Sequence, residues 1–184
     1  MGQSNIRDYG HLVWATKYRL PLLLPKIQGL VFEEIASVLT NLGCLVLEVN
    51  GMYDHVHVAL RKRSRHRVDW LARDAKSHSS RLVNEHGLIK GRFAWQRGFS
   101  YTSVSPRYVG NLRVYIRRQK QRHANMSYQE EFERYCLPPG ELLNQPDNGW
   151  EKFDPEIMEL IQRGYNPIGW KKRGSLDLPP ELLE

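Results

Sequence analysis

No run of this 184-residue sequence approaches the roughly 20 apolar residues that a membrane-spanning helix needs. The longest apolar stretch, Leu20 to Leu24, is broken by Pro21 and closed by Pro25. The N-terminus, MGQSNIRDYG, lacks the apolar segment of a secretory signal, so no signal peptide, no membrane partner and a cytoplasmic location are expected. Cysteine is scarce. Cys44 and Cys136 stand without a motif around them, which argues against a disulfide framework and fits two reduced thiols. Repeats and low-complexity tracts are missing too. Acidic residues are nearly absent from the middle of the chain: residues 61–122 hold 17 Lys and Arg against Asp69, Asp74 and Glu85.

What is present sharpens that last absence. The net charge is +7, yet residues 127–184 carry 12 acids against six bases. The cationic excess is therefore concentrated rather than spread, which is the electrostatic footprint of a polyanionic partner such as nucleic acid. A hydrophobic fraction of 41% is enough for one real core.

Periodicity supplies the elements. Tyr9 to Arg19 is rich in strand formers and reads as a strand. Pro25 opens a helix on which Ile27, Leu30, Val31, Ile35, Val38, Leu39 and Leu42 recur at helical spacing, and Gly43 closes it. Cys44 to Val49 is a strand-forming run, Asn50-Gly51 reads as a turn, and His55 to Leu60 as the next strand. Arg65 to His86 reads as a second helix and Arg92 to Ser105 as a fourth strand region. Ser105 and Pro106 suit a helix start, with the helix running to about Ala124. The order β-α-β-β-α-β-α predicts an α+β fold: a ferredoxin-like core, its four-stranded antiparallel sheet backed by helices, followed by one more helix. Composition shifts near Leu137, which divides the chain into a domain of residues 1–136 and an acidic extension of residues 137–184. A short helix starting at Asp154 and Pro155 is expected in the extension, which is read as draping over the core.

The chemistry begins at Asp54-His55-Val56-His57-Val58. Alternate residues of a strand share a face, so the two imidazoles point one way and the valines the other. Two imidazoles side by side can hold a divalent metal ion, though a strand-borne histidine pair can equally be solvent-facing. Asp54 either anchors one of them or caps the turn before the strand. On the last helix Tyr115 and Gln119 are four residues apart and share a face. A tyrosine hydroxylate can attack phosphorus and an amide oxygen can ligate a hard metal; core packing of the same two residues is the plainer alternative. Trp95, Phe99 and Tyr101 alternate, either to stack on bases or to fill the core. His123 suits a contact with the helix C-terminus.

Together these segments resemble the single-tyrosine HUH transposases of the IS200-like family. The motifs that carry the likeness are HLVWATKYR, DHVHVAL, FAWQRGFSYTSVS, VYIRRQKQRH and SYQEEFERY, spread in order from Tyr9 to Tyr135. Relatives acting on repeated extragenic palindromes share this core. The resemblance implies that Tyr115 is the nucleophile and that His55, His57 and Gln119 ligate Mg2+ or Mn2+. It implies a partner of single-stranded DNA with hairpin ends, and a homodimer in which one subunit's tyrosine helix often completes the other's site. The extension from Leu137 departs from the compact family members.

Cleavage by such a site would yield a 5′-phosphotyrosine and a free 3′-hydroxyl, with no nucleotide cofactor. An unperturbed tyrosine ionises near about pH 10, so the metal and nearby arginines are expected to help. Lys17, Arg19, Arg61, Lys62, Arg63, Arg73, Lys76 and Arg81 are the candidate DNA-binding cations. Two other readings stand beside this one: a non-catalytic hairpin-binding descendant of a transposase, and a zinc-type hydrolase that attacks with water.

Overall fold

The computed structural model describes residues 6–122. Cys136, His123, the boundary at residue 137 and the short helix at Asp154 lie outside the described residues.

Four strands, β1 (Asp8–Ala15), β2 (Leu45–Gly51), β3 (His55–Lys62) and β4 (Ser100–Val104), form one antiparallel sheet in the order β2-β3-β1-β4. Helices α1 (Pro25–Asn41) and α2 (Val68–Glu85) pack against each other and cover one side. Leu12 and Trp14 of β1 and Val56, Val58 and Leu60 of β3 point into that side, where they meet Ile27, Val31, Ile35 and Leu39 of α1 and Leu71, Ala75 and Val83 of α2. Truncating any one of these buried aliphatics costs about 2–5 kcal/mol for the larger chains. The expected ferredoxin-like core is thus present.

The other side of the sheet is covered by α3 (Val109–Arg117), which runs across β2 and β3. A single 3-10 turn, Pro106–Tyr108, leads into it, and Ser105 makes no side-chain cap there. The long helix expected to reach Ala124 is instead interrupted. Arg118 leaves helical geometry at φ −93° and ψ 14°, and a short turn of helix, α4 (Gln119–Arg122), follows.

Three further expectations are corrected. Asn50-Gly51 is not the turn: both residues lie in β2, and the chain reverses over residues 52–54. Glycine is required at position 51 because a Cβ there would run into the backbone of His55. The first strand stops at Ala15, after which Lys17–Arg19 forms a 3-10 turn with Tyr18 and Arg19 at φ 57° and 56°. The fourth strand starts only at Ser100, while Trp95 forms an isolated bridge with Thr16. Trp95 packs edge-on against Trp14 and Phe93, and Tyr101 also leans on the core, so of the three alternating aromatics only Phe99 is exposed.

β2 carries a bulge between Val46 and Glu48. Val46 pairs with Leu60 and Val49 with Val58, so both face the core although they are three residues apart. Glu48 and Asn50 are thereby turned to the α3 side, opposite Ala59 and His57. The extra residue re-aims everything beyond it, which is the structural use of a bulge.

Among the described residues no helix is long and apolar enough to cross a membrane.

Candidate active site

The alternation expected of β3 holds, with an addition. His55 and His57 do leave the core side, but they are 1% and 2% exposed because α3 covers them. Their ring centroids are 4.9 Å apart. A buried imidazole must be hydrogen-bonded to be tolerated. His55 Nδ1 meets Asp54 Oδ1 at 2.7 Å, and His57 Nδ1 meets Nε2 of His11 at 2.8 Å. In both rings it is Nδ1 that is engaged by these anchors, while both Nε2 atoms are buried and make no hydrogen bond. Engagement of one ring nitrogen by a neighbour is how metal-binding imidazoles are oriented.

Asp54 has a second partner. Its Oδ2 receives Arg19, from NH2 at 2.7 Å and Nε at 3.0 Å, and the pair is almost buried. The same guanidinium lies 3.4 Å from His55 Nδ1. Reaching this position takes the left-handed backbone of Tyr18 and Arg19, at a cost of about 1–3 kcal/mol per residue. Thr16 holds the turn: its amide donates to the Asp54 carbonyl at 2.8 Å and its hydroxyl to the Leu20 carbonyl at 2.6 Å.

Tyr115 arrives from α3. Its ring stands edge-on to His57 at 5.7 Å and to His11 at 5.9 Å. Ile116, fully buried, fixes the rotation of the helix. Asn50 of β2 fixes its C-terminal end, donating from Nδ2 to the carbonyls of Ile116 and Arg117 at 3.0 and 3.1 Å. Those are carbonyls that a helix end leaves without intrahelical partners. Glu48, one register pair along, binds Arg117 at 2.7 Å and Arg113 at 3.7 Å. Gln119 follows one turn after Tyr115, fully buried, and its Oε1 makes no hydrogen bond. Among the described residues no group of three or more His, Cys, Asp or Glu stands ready to hold a metal.

The structure therefore brings His55, His57 and Tyr115 together within one chain, and Gln119 is buried at the start of the short helix α4 that follows. Sequence reasoning missed His11, Asn50 and the inward role of Arg19. No local signal in the sequence pointed to His11, whose place beside His57 comes from the pairing of β1 with β3.

The candidate DNA-binding cations are scattered. Lys17 is exposed and lies over the Tyr18 ring at 4.8 Å. Arg61 and Arg63 are exposed, whereas Lys62 is ion-paired with Asp8. Arg73 pairs with Asp74 and Arg81 with Glu85, at 2.8 and 3.9 Å. Lys76 donates to the carbonyls of Gln96 and Gly98 at 2.6 and 2.9 Å, and its burial pulls its pKa down. Arg73 and Lys76 line an open groove of about 540 Å³ between α2 and residues 92–99, which also holds Arg92 and Arg97.

The fold is thus a four-stranded, wholly antiparallel ferredoxin-like sheet that carries a buried histidine pair on the side packed by α3. The family model described as transposase IS200 like matches residues 6–119, and the chain belongs to that family. Among solved structures, that of a REP-associated tyrosine transposase bound to a REP hairpin covers 79% of this chain and 95% of its own. Its identity is 13% and its TM-score 0.51, a likeness of fold. A Deinococcus radiodurans R1 protein assigned to the transposases covers 65% of this chain and 96% of its own at 23% identity, with a TM-score of 0.48. Among curated proteins none matches.

Proposed function

We propose that this transposase cleaves and rejoins single-stranded DNA through a covalent link to Tyr115. The observation that carries the reading is the placement of the Tyr115 ring against the anchored His55–His57 pair. In the cleavage step the Tyr115 oxygen bonds to phosphorus, the bond to the departing 3′ oxygen breaks, and the phenol proton is released. The products are a 5′-phosphotyrosine and a 3′-hydroxyl; attack by a 3′-hydroxyl reverses the exchange and restores the tyrosine.

His55, His57 and Gln119 would hold a Mg2+ or Mn2+ ion. The buried Nε2 and Oε1 atoms fit that role, and two imidazoles with one amide oxygen fill half of a six-coordinate shell. When bound, such an ion polarises the scissile phosphate and offsets the charge developing on it. The protein's own residues do the rest. Asp54 and His11 orient the imidazoles, and Asn50 holds the tyrosine helix over them. A water-attacking zinc hydrolase would need a free general base, and the nearby carboxylate, Asp54, is already bound to Arg19 and His55.

DNA with hairpin ends is the proposed substrate, gripped by the exposed cations among Lys17, Arg61, Arg63, Arg73 and Arg81, with Lys76 and Arg19 acting inside the fold. The resemblance to the family supports a homodimer as the assembly. The test is incubation of the protein with hairpin-bearing single-stranded DNA and Mn2+, followed by denaturing electrophoresis. Wild type should yield a covalent protein–DNA adduct, and Tyr115→Phe should yield none while still binding the hairpin. An adduct of undiminished yield in the Phe variant would move the nucleophile to another tyrosine, with the exposed Tyr108 next in line.

A further inference from the structure

The α3 side of the sheet carries a third histidine in an unusual place. His11 stands on β1 beside Ala59, diagonal to His57. The neighbouring positions of β1 on this side, Val13 and Ala15, are apolar and sit opposite His57 and His55. An imidazole at a position 8% exposed is costly unless it is hydrogen-bonded. His11 Nε2 lies 2.8 Å from His57 Nδ1, the two rings stack at 5.0 Å with 17° between their planes, and Tyr115 meets His11 edge-on at 5.9 Å. One contact thus links the nucleophile's ring and the imidazole that faces it.

A hydrogen bond between two imidazoles needs an N–H on one and a lone pair on the other. If His57 donates from Nδ1, its lone pair is on Nε2, the buried nitrogen. If His11 donates instead, His57 must carry its proton on Nε2 and cannot bind a cation there. The choice between the two arrangements therefore decides what His57 can do.

We propose that His11 is a positioning residue of this site: it accepts the Nδ1–H of His57, locks His57 in the tautomer with its lone pair on Nε2, and sets the ring plane against which Tyr115 rests. His55 receives the equivalent service from Asp54. The inference rests on the reading of His57 as a metal ligand, and it concerns the ring's orientation rather than the reaction itself. Histidines oriented by an outer partner lose about 10- to 100-fold in metal affinity when that partner is removed.

The experiment has two arms. In the first, 15N NMR of the metal-free wild-type protein reads the tautomer of His57 directly. The expected state is Nδ1–H, and it should be lost in His11→Phe, which keeps a stacked ring and removes the acceptor. An Nε2–H tautomer in wild type would overturn the proposal whatever the metal does. In the second arm, Mn2+ is titrated calorimetrically into wild type, His11→Phe and His11→Gln. The Phe variant should bind at least about tenfold more weakly. The Gln variant, whose amide oxygen can take the place of Nε2, should recover most of the loss; hairpin binding, as a check on folding, should be equal in all three. Equal Mn2+ affinity in wild type and a folded Phe variant would overturn the role of His11 while leaving the metal site standing. No Mn2+ binding by wild type would instead overturn the metal reading, and with it the service His11 is proposed to perform.

Discussion

Asn50→Ala should loosen the tyrosine helix without unfolding the domain. Asn50 donates to two carbonyls at the end of α3, one in a half-buried setting and one at the surface. A shielded hydrogen bond contributes about 1 kcal/mol net, and the exposed one contributes less. The sum, about 1.5 kcal/mol, is close to a tenfold change in the equilibrium between docked and undocked α3. Asn50 Oδ1 also accepts from Gly51 N at 2.9 Å, so the β2 edge loses an acceptor as well. The competing anchor, Glu48 with Arg113 and Arg117, joins arginines that are about half exposed, and such pairs contribute about 0–1 kcal/mol. The assay is hydrogen exchange resolved by peptide, run beside adduct formation. Exchange in α3 should rise about tenfold in Asn50→Ala, with α1 unchanged, and the adduct should form correspondingly more slowly. Asn50→Asp, nearly the same shape but unable to donate, should be at least as damaging, because its carboxylate faces two carbonyl oxygens. Glu48→Gln should matter less than either. Wild-type exchange and adduct rate in Asn50→Ala, or a larger effect from Glu48→Gln, would refute the assignment of Asn50 as the clamp.

Other expectations follow from the same geometry. Hairpin affinity should fall linearly on a log–log plot against salt, by about 0.7–0.9 per phosphate contact, and the exposed cations call for a slope of at least about 3; a flat dependence would mean that the basic block faces something other than DNA. Tyr101 is half-buried and its hydroxyl donates to Asp8, and both the partial burial and the carboxylate push its ionisation above the ordinary tyrosine value. Its contribution to stability should be fully present below about pH 10, where the unfolded chain's tyrosine begins to ionise, and should be lost as pH rises further. In urea titrations at rising alkaline pH, Tyr101→Phe should therefore decline less steeply than wild type; parallel curves would count against the raised ionisation of this phenol. Finally, Tyr115 meets His57 of its own chain, so mixing His57→Ala subunits with Tyr115→Phe subunits should restore no adduct. Activity recovered in mixed dimers would place the tyrosine across a subunit boundary.

The chain by itself determined the elements whose signals are local. The helical recurrence from Ile27 to Leu39 became α1, and the alternation around Val56 and Val58 put both valines into the core and both histidines on the opposite side. Local spacing predicted one helical face for Tyr115 and Gln119, but the helix on which that prediction rests breaks between them at Arg118. What spacing could not decide is anything that depends on which strand lies beside which. Asn50-Gly51 has the composition of a turn, yet it is strand: glycine is needed there for the close approach of the His55 backbone, and asparagine serves the end of a helix 66 residues away. The bulge in β2 breaks the period of two, so Glu48 and Asn50 face α3 against the simple alternation. Arg19 reads as a surface cation and is instead turned inward onto Asp54 by a left-handed backbone. His11 gained its role only when β1 paired with β3, across 46 residues of chain, and laid one imidazole over another. Periodicity reports which side of an element a residue occupies; only the register between elements decides what it meets there.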